Sequence, residues 1–332
     1  MSEPIVSEPT MPEPTMPEPT MPGLSRLVGD PRLLRHWEGT PFVTTPAADF
    51  DDVLPVGSVD ALLDAGLPMP NVRLFREGVA LPAQRVARPR ERRGRADLRL
   101  ADAGRVRAEI RAGATLVVEE VQLFSPAVAA LADAVARDSG YETDCTAFLT
   151  PARANGVGPH RDPVSVFLCQ VHGAKRWRVW ATPATGPDAA ADPEAVARRE
   201  PTLDVLLKAG DCLHIPRGHV HLGETLDEPS VHVAVSVRPP TWGEVLARAV
   251  EQVVRDDARW AEPVPPAFAV DRQGQLADRV AVLARRLAAL SPVDLFAVPQ
   301  PAAGATAPAD TLQAALDRHD VAVRSGPTSR VT

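Results

Sequence analysis

Apolar and polar positions alternate most regularly in the middle of the chain. Short apolar runs fall at 143–150, 164–171, 175–181, 203–207, 212–215 and 230–237. Turn signals separate them at Gly156, His172–Gly173, Ala209–Gly210–Asp211 and Pro216–Arg217–Gly218. Many short strands with glycine-marked corners predict a mainly β fold, a double-sheet jelly roll, with helices flanking it. On the N-terminal side, LSRLVGDPRLLRHWEGTPFVT predicts one or two short helices whose apolar contacts are Leu24, Leu27, Leu33, Leu34 and Trp37. Two more helical pieces are expected at 49–53 and 58–65, and a short strand in NVRLF. The run from Ala112 to Gly140 reads as strand, turn and an amphipathic helix over 126–139. DPEAVARRE is expected as a helical insertion between strands.

Beyond Arg238–Pro239–Pro240 the period changes to that of a helix. Trp242, Leu246, Ala249 and Val253 form one stripe; Leu276, Val280, Leu283, Leu287 and Leu290 form a second. The second stripe suits packing against another helix and leans towards a homodimer built through these C-terminal helices. The first 22 residues repeat Met-Pro-Glu-Pro-Thr, and a proline-dense repeat supports neither helix nor inner strand. Four regions are therefore expected: a disordered Pro-rich leader over 1–22, a jelly-roll region with N-terminal helical elements over 23–240, a helical region over 241–298, and a flexible tail over 299–332.

Composition narrows this picture only modestly. Of 332 residues, 45% are hydrophobic and 24% charged, which suits a globular chain with a sizeable core. The formal net charge of −7 argues against a general nucleic-acid-coating surface. A local basic stretch exists: Arg85, Arg88, Arg90, Arg92, Arg93, Arg95 and Arg99. Pro89, Gly94 and the lack of periodicity favour a solvated loop there over a clamp for an acidic partner. Three cysteines, Cys145, Cys169 and Cys212, read as buried free thiols in a reducing compartment. No apolar run approaches the roughly 18 residues of a membrane span, and no secretion signal is recognisable, so the expected location is the cytoplasm.

The chemistry is concentrated in GPHRDPVSVFLCQVHGAKRWRVW, residues 158–180. Residues two apart on an extended segment share a face, so His160 and Asp162 can reach one metal. A third ligand is expected from AGDCLHIPRGHVHLGE, where the Pro216–Arg217–Gly218 turn presents His219 and His221. Two imidazoles and one carboxylate on one face of an octahedral ion leave three positions open, the facial triad of non-haem Fe(II) oxygenases. Such a centre needs a co-substrate such as 2-oxoglutarate, whose far carboxylate requires a cation. Lys175 can supply it from the strand expected after the Val171–His172–Gly173 turn.

These segments, together with SVHVAVSV, resemble the cupin-like JmjC oxygenases that include the ribosomal oxygenases. The family's Thr-Pro, His-x-Asp, Gly-x-Lys-x-Trp, Gly-Asp with Pro-x-Gly-x-x-His, and Ser-x-His motifs follow one another in order here. HWEGTPFV is similar to the family's N-terminal Trp-x-x-x-Pro signature. The resemblance implies a double-stranded β-helix of cupin type, Fe(II) held by His160, Asp162 and His221, and 2-oxoglutarate and O2 as co-substrates. Lys175, Ser236 and Thr150 would bind the 2-oxoglutarate, with His232, His214 and Phe148 in the surrounding layer. Phe148 and His214 stand where relatives carry tyrosine. The implied activity is a dioxygenase that hydroxylates an amino-acid side chain in a protein or peptide, a biosynthetic peptide included. The competing readings are a cupin metalloenzyme acting on a small metabolite without 2-oxoglutarate, a hydroxylase of a natural-product intermediate, and a non-catalytic jelly-roll binding protein.

Overall fold

The computed structural model describes residues 22–45, 47–89, 99–182, 190–266 and 271–290. The Pro-rich leader up to residue 21, the arginine-rich segment from 90 to 98 and the tail beyond 290 lie outside the described residues. Contacts divide the chain into two units, Met1–Pro239 and Pro240–Thr332.

The first unit is a mostly antiparallel β structure of jelly-roll type. In chain order its elements are α1 (Pro22–Val28), β1 (Phe42–Thr44), α2 (Val56–Ala65), β2 (Val72–Arg76), β3 (Val79–Ala80), β4 (Ala87–Pro89), β5 (Arg99–Ala101), α3 (Ala103–Arg111), β6 (Thr115–Val118) and α4 (Pro126–Ser139). They continue with β7 (Glu142–Thr150), β8 (Ser165–Trp180), α5 (Pro193–Val196), β9 (Leu203–Lys208), β10 (Cys212–Ile215), β11 (Val220–Glu224) and β12 (Ser230–Arg238). The main path of neighbours runs β1-β10-β8-β12-β7-β6-β2-β3, with β9 and β11 also paired to β8.

β8 is the seam of the fold. Its first half pairs with β10 and β12; its second half pairs with β9 and β11. The two strands expected at 164–171 and 175–181 are thus one. The glycine-marked corner between them bends the strand from one sheet into the other without ending it. Gly173 has φ +64°, and a Cβ placed there would lie 1.8 Å from the Pro229 carbonyl oxygen. Only glycine fits that approach. Opposite it the β12 register jumps from Val231↔His172 to His232↔Gln170, leaving Val171 as the extra residue of a bulge. The strand of Val220–Glu224, read beforehand as the exit of a turn, is a full member of the barrel.

Alternation along these strands sorts side chains into two layers. Val166, Leu168, Leu213, Ile215 and Ala234 face inwards with Trp177, Val179 and Leu207. Phe167, Cys169, Cys212, Val233 and Val235 face the opposite way, under the N-terminal helices and α4. Helix α4 starts where Ser125 caps the Val128 N–H and Pro126 occupies the first turn, and it ends at Gly140 with φ +69°. Its Val128, Leu131, Ala132 and Val135 are buried. The helix expected at 49–53 is a turn instead: Asp49 Oδ1 takes the Asp51 N–H, a short local bond that competes with helix propagation.

The second unit contains α6 (Trp242–Arg255) and α7 (Arg272–Ala288). Thr241 and Glu244 form a capping box at the start of α6. The buried positions of α6 are Val245, Ala249 and Val253, so the stripe expected through Trp242 and Leu246 is rotated; Leu246 is exposed. Leu276 and Val280 of the second stripe are exposed as well. No helix among the described residues is long and apolar enough to cross a membrane.

Candidate active site

His160 and His221 meet through a reciprocal backbone pair: the His160 N–H donates to the His221 carbonyl at 3.2 Å, and the His221 N–H to the His160 carbonyl at 2.9 Å. A two-bond antiparallel pair puts both side chains on one face. Their ring centroids are 4.2 Å apart. Asp162 is tied to the same corner because its carbonyl accepts the Gly218 N–H at 2.8 Å. Ligand atoms of His160, Asp162 and His221 lie within 4.8 Å of one another.

The tautomers follow from the outer contacts. His160 Nδ1–H donates to the Gly158 carbonyl at 2.8 Å, and His221 Nδ1–H to the His219 carbonyl at 3.1 Å. A carbonyl only accepts, so in the neutral ring it is Nε2 that carries the lone pair. Those Nε2 atoms stand 4.0 Å and 3.5 Å from Asp162 Oδ2. Burial, followed by the nearby His160 ring, lowers the His221 pKa to about 4, which keeps that imidazole in its neutral, ligating form. The donor set and its free lone pairs fit a divalent metal with open positions.

The three residues line a pocket of about 150 Å³, whose wall also includes Thr146, Phe148, Lys175, Trp177, Gly223, His232 and Ser236. Lys175 is 3% exposed. Its Nζ donates to Thr150 Oγ1 at 3.2 Å and lies 5.1 Å from the Trp177 ring centre. Among the described residues no carboxylate pairs with it, and burial pulls its pKa down to about 7. A buried amine without a counter-ion is a site prepared for an anion. Gly223 makes room for its stem, because a Cβ there would fall 2.9 Å from Lys175 Cε and 2.8 Å from Trp177.

His232 forms the opposite wall. It stacks on Phe148 with ring centroids 4.7 Å apart and an interplanar angle of 4°, and it presents its ring to the edge of Trp177 at 5.3 Å. Neither ring nitrogen has a partner, and burial, then the neighbouring Lys175, holds its pKa well below the usual histidine value. Ser236 is half-buried on the same wall.

Three residues expected at the site do not line its pocket. His214 is on the far side of β10, between Trp37, Phe42 and Phe167, because Leu213 and Ile215 take the inward positions of that strand. His219 is buried short of β11 and offers the site only its carbonyl. Thr150 stands behind Lys175 rather than on the pocket wall. The roles of Trp177 and Gly223 as neighbours of the amine depend on cross-strand register, Trp177↔Gly223, which local sequence does not reveal.

Residues 118–245 match the JmjC domain family. Among curated proteins, ribosomal oxygenase 1 of Gallus gallus is 29% identical over 204 residues, covering 55% of this chain and 34% of that protein. Ribosomal oxygenase 2 of Rattus norvegicus is 37% identical over 116 residues, covering 34% and 25%. The chain therefore spans about a third or less of the length of these relatives. Among solved structures, the Escherichia coli ribosomal oxygenase YcfD aligns with a TM-score of 0.51 at 20% identity, over 80% of this chain and 68% of that one. The same protein in complex with cobalt and 2-oxoglutarate aligns with a TM-score of 0.50 at 20% identity, over the same shares. At this identity the likeness is one of fold.

Proposed function

We propose that the JmjC domain formed by residues 118–245 makes this chain an Fe(II)- and 2-oxoglutarate-dependent oxygenase that hydroxylates an amino-acid side chain of a protein or peptide. The observation that carries this reading is the pairing, in one pocket, of a His160–Asp162–His221 ligand set with an uncompensated buried amine on Lys175. In this reading His160, Asp162 and His221 hold the iron through the two Nε2 atoms and the carboxylate. Lys175 receives the far carboxylate of 2-oxoglutarate, and Ser236 and His232 supply further polar contacts on the same wall. Bound iron, with 2-oxoglutarate and O2, supplies the oxidant that hydroxylates an unactivated C–H bond, with succinate and CO2 as co-products.

The chain's own residues contribute three things. The Gly158 and His219 carbonyls orient the imidazoles, the Phe148–His232–Trp177 stack keeps the anchor dry, and the amine fixes the co-substrate's direction. A protein substrate is supported by the names of the relatives, ribosomal oxygenases. The exposed Leu246, Leu276 and Val280 support association of two copies through the C-terminal helices; light scattering of Leu276→Glu tests it, with loss of a dimer expected.

The functional reading is tested by succinate formation from 2-oxoglutarate with ribosomal-protein-derived peptides. Iron-dependent succinate, abolished in Asp162→Ala, is expected. Turnover of a small metabolite by the wild type without 2-oxoglutarate would point instead to a cupin metalloenzyme of another class.

A further inference from the structure

Thr115 on β6 lies outside the segment that matches the JmjC domain, and it is fully buried. The β6–β7 register, Leu116↔Leu149, brings it beside Thr150. Its Oγ1 donates to Thr150 Oγ1 at 3.2 Å, and that same oxygen accepts from Lys175 Nζ at 3.2 Å. On its other side Thr115 is covered by Gly156, where a Cβ would come within 3.2 Å of Thr115 Oγ1 and 3.3 Å of its Cγ2. Gly156 belongs to the loop that runs into His160, and its carbonyl accepts the Gly78 N–H at 3.2 Å.

An ammonium has three N–H donors, and a hydroxyl has two acceptor positions and one proton. Thr150 takes one of the three donors of Lys175. Left alone, its hydroxyl would turn freely about the Cβ–Oγ1 bond. Donation from Thr115 fills one acceptor position and turns the other towards Nζ. The amine is then fixed between that oxygen and the Trp177 ring, with two N–H bonds left for a carboxylate.

We propose that Thr115 is a positioning residue for co-substrate binding: through Thr150 it sets the place of the Lys175 amine that receives the far carboxylate of 2-oxoglutarate. This rests on the functional reading above. Its chemistry is that of a buried hydroxyl pair acting on a neighbouring donor, and the loss of one such bond is worth about three- to tenfold in affinity.

The test compares full-length wild type, Thr115→Val and Thr115→Ser, each loaded with Fe(II) under anaerobic conditions and titrated calorimetrically with 2-oxoglutarate. Thr115→Val removes the hydroxyl and keeps the volume. It is expected to weaken 2-oxoglutarate about three- to tenfold and to raise KM for 2-oxoglutarate by the same factor, with kcat at saturation and Fe(II) affinity retained. Thr115→Ser restores the hydroxyl and is expected to bind within about twofold of wild type. Should Thr115→Val not accumulate, Thr115→Cys, with a weak donor of similar size, takes its place with the same expected loss. Wild-type affinity in the hydroxyl-free variant, an equal loss in Thr115→Ser, or a loss confined to kcat or to Fe(II) binding overturns the inference. Absence of 2-oxoglutarate binding in the wild type would overturn the functional reading and this inference with it, whereas binding by wild type and unaltered binding by Thr115→Val sinks the inference alone.

Discussion

Lys175 gives the account its most quantitative consequence. Burial lowers its pKa from 10.5 to about 7, and within the described residues its polar partner is a neutral hydroxyl, with neutral His232 as the titratable neighbour. Without an anion the amine is therefore mostly neutral above pH 7. A carboxylate in the pocket favours the ammonium, so binding must draw a proton from solvent. The carboxylates of 2-oxoglutarate stay ionised throughout this range, which leaves Lys175 as the group that responds. If the bound form holds its proton, affinity scales with the protonated fraction of the free protein. Between pH 6.5 and 8.5 that is a loss of about 25-fold, and at pH 8 binding takes up about 0.9 proton.

The same shift acts on stability in the opposite sense to a salt bridge. The unfolded chain holds the Lys175 proton up to pH 10.5 and the folded chain only to about 7. The unfolded state thus binds more protons in that window, and stability rises with pH, by about 1.4 kcal/mol per unit from this group. Calorimetry of the Fe(II)-saturated protein in buffers of different ionisation enthalpy counts the protons. Urea melts of metal-free wild type and Lys175→Met, which keeps the volume without the charge, isolate the stability slope. Affinity that is flat from pH 6.5 to 8.5, with no proton uptake, would refute the reasoning.

Three further outcomes are expected. Gly173→Ala must move the Pro229 carbonyl and hold alanine at φ +64°, so it should lose at least about 2 kcal/mol in urea denaturation or fail to fold; a change within about 0.5 kcal/mol would show that the corner is not rigid. His221→Ala should abolish stoichiometric Fe(II) or Co(II) binding, while His219→Ala, which keeps the carbonyl that orients His221, should bind metal; the reverse pattern would reassign the ligand. Thr241→Ala should destabilise the C-terminal unit by about 1 kcal/mol through loss of its capping box, read as reduced amide protection in the first turn of α6; unchanged protection would mean the box contributes nothing.

Much of this site was readable because its chemistry is local in sequence. His160 and Asp162 are two apart, Lys175 and Trp177 are two apart, and the Pro216–Arg217–Gly218 turn presents His219 and His221, of which the family's Pro-x-Gly-x-x-His spacing selects His221. The strand alternation and the glycine corners announced the jelly roll for the same reason. What the sequence hid was set by pairing between distant segments. The strand through Gly173 looked like two because a glycine between apolar runs signals a hairpin as readily as a bulged corner; the Pro229 carbonyl decides between them. The resemblance put His214 near the metal, where relatives carry tyrosine, yet Leu213 and Ile215 take the inward positions of β10 and leave it on the other face. Thr115 had no local mark at all, since its partner Thr150 comes from β7. The stripe through Trp242 and Leu246 fitted a helical period, but the buried face of α6 is centred on Val245, Ala249 and Val253.

The central claim, that one pocket holds both a metal and 2-oxoglutarate, is tested most directly by anaerobic titration of Fe(II)-loaded protein with 2-oxoglutarate, followed in the visible. Chelation of ferrous iron by the co-substrate produces a weak metal-to-ligand charge-transfer band. The wild type should develop that band to saturation at one equivalent of iron, Asp162→Ala should show none, and Lys175→Ala should require far more 2-oxoglutarate to reach it. A wild-type protein that binds Fe(II) and shows no band at saturating 2-oxoglutarate would contradict the account.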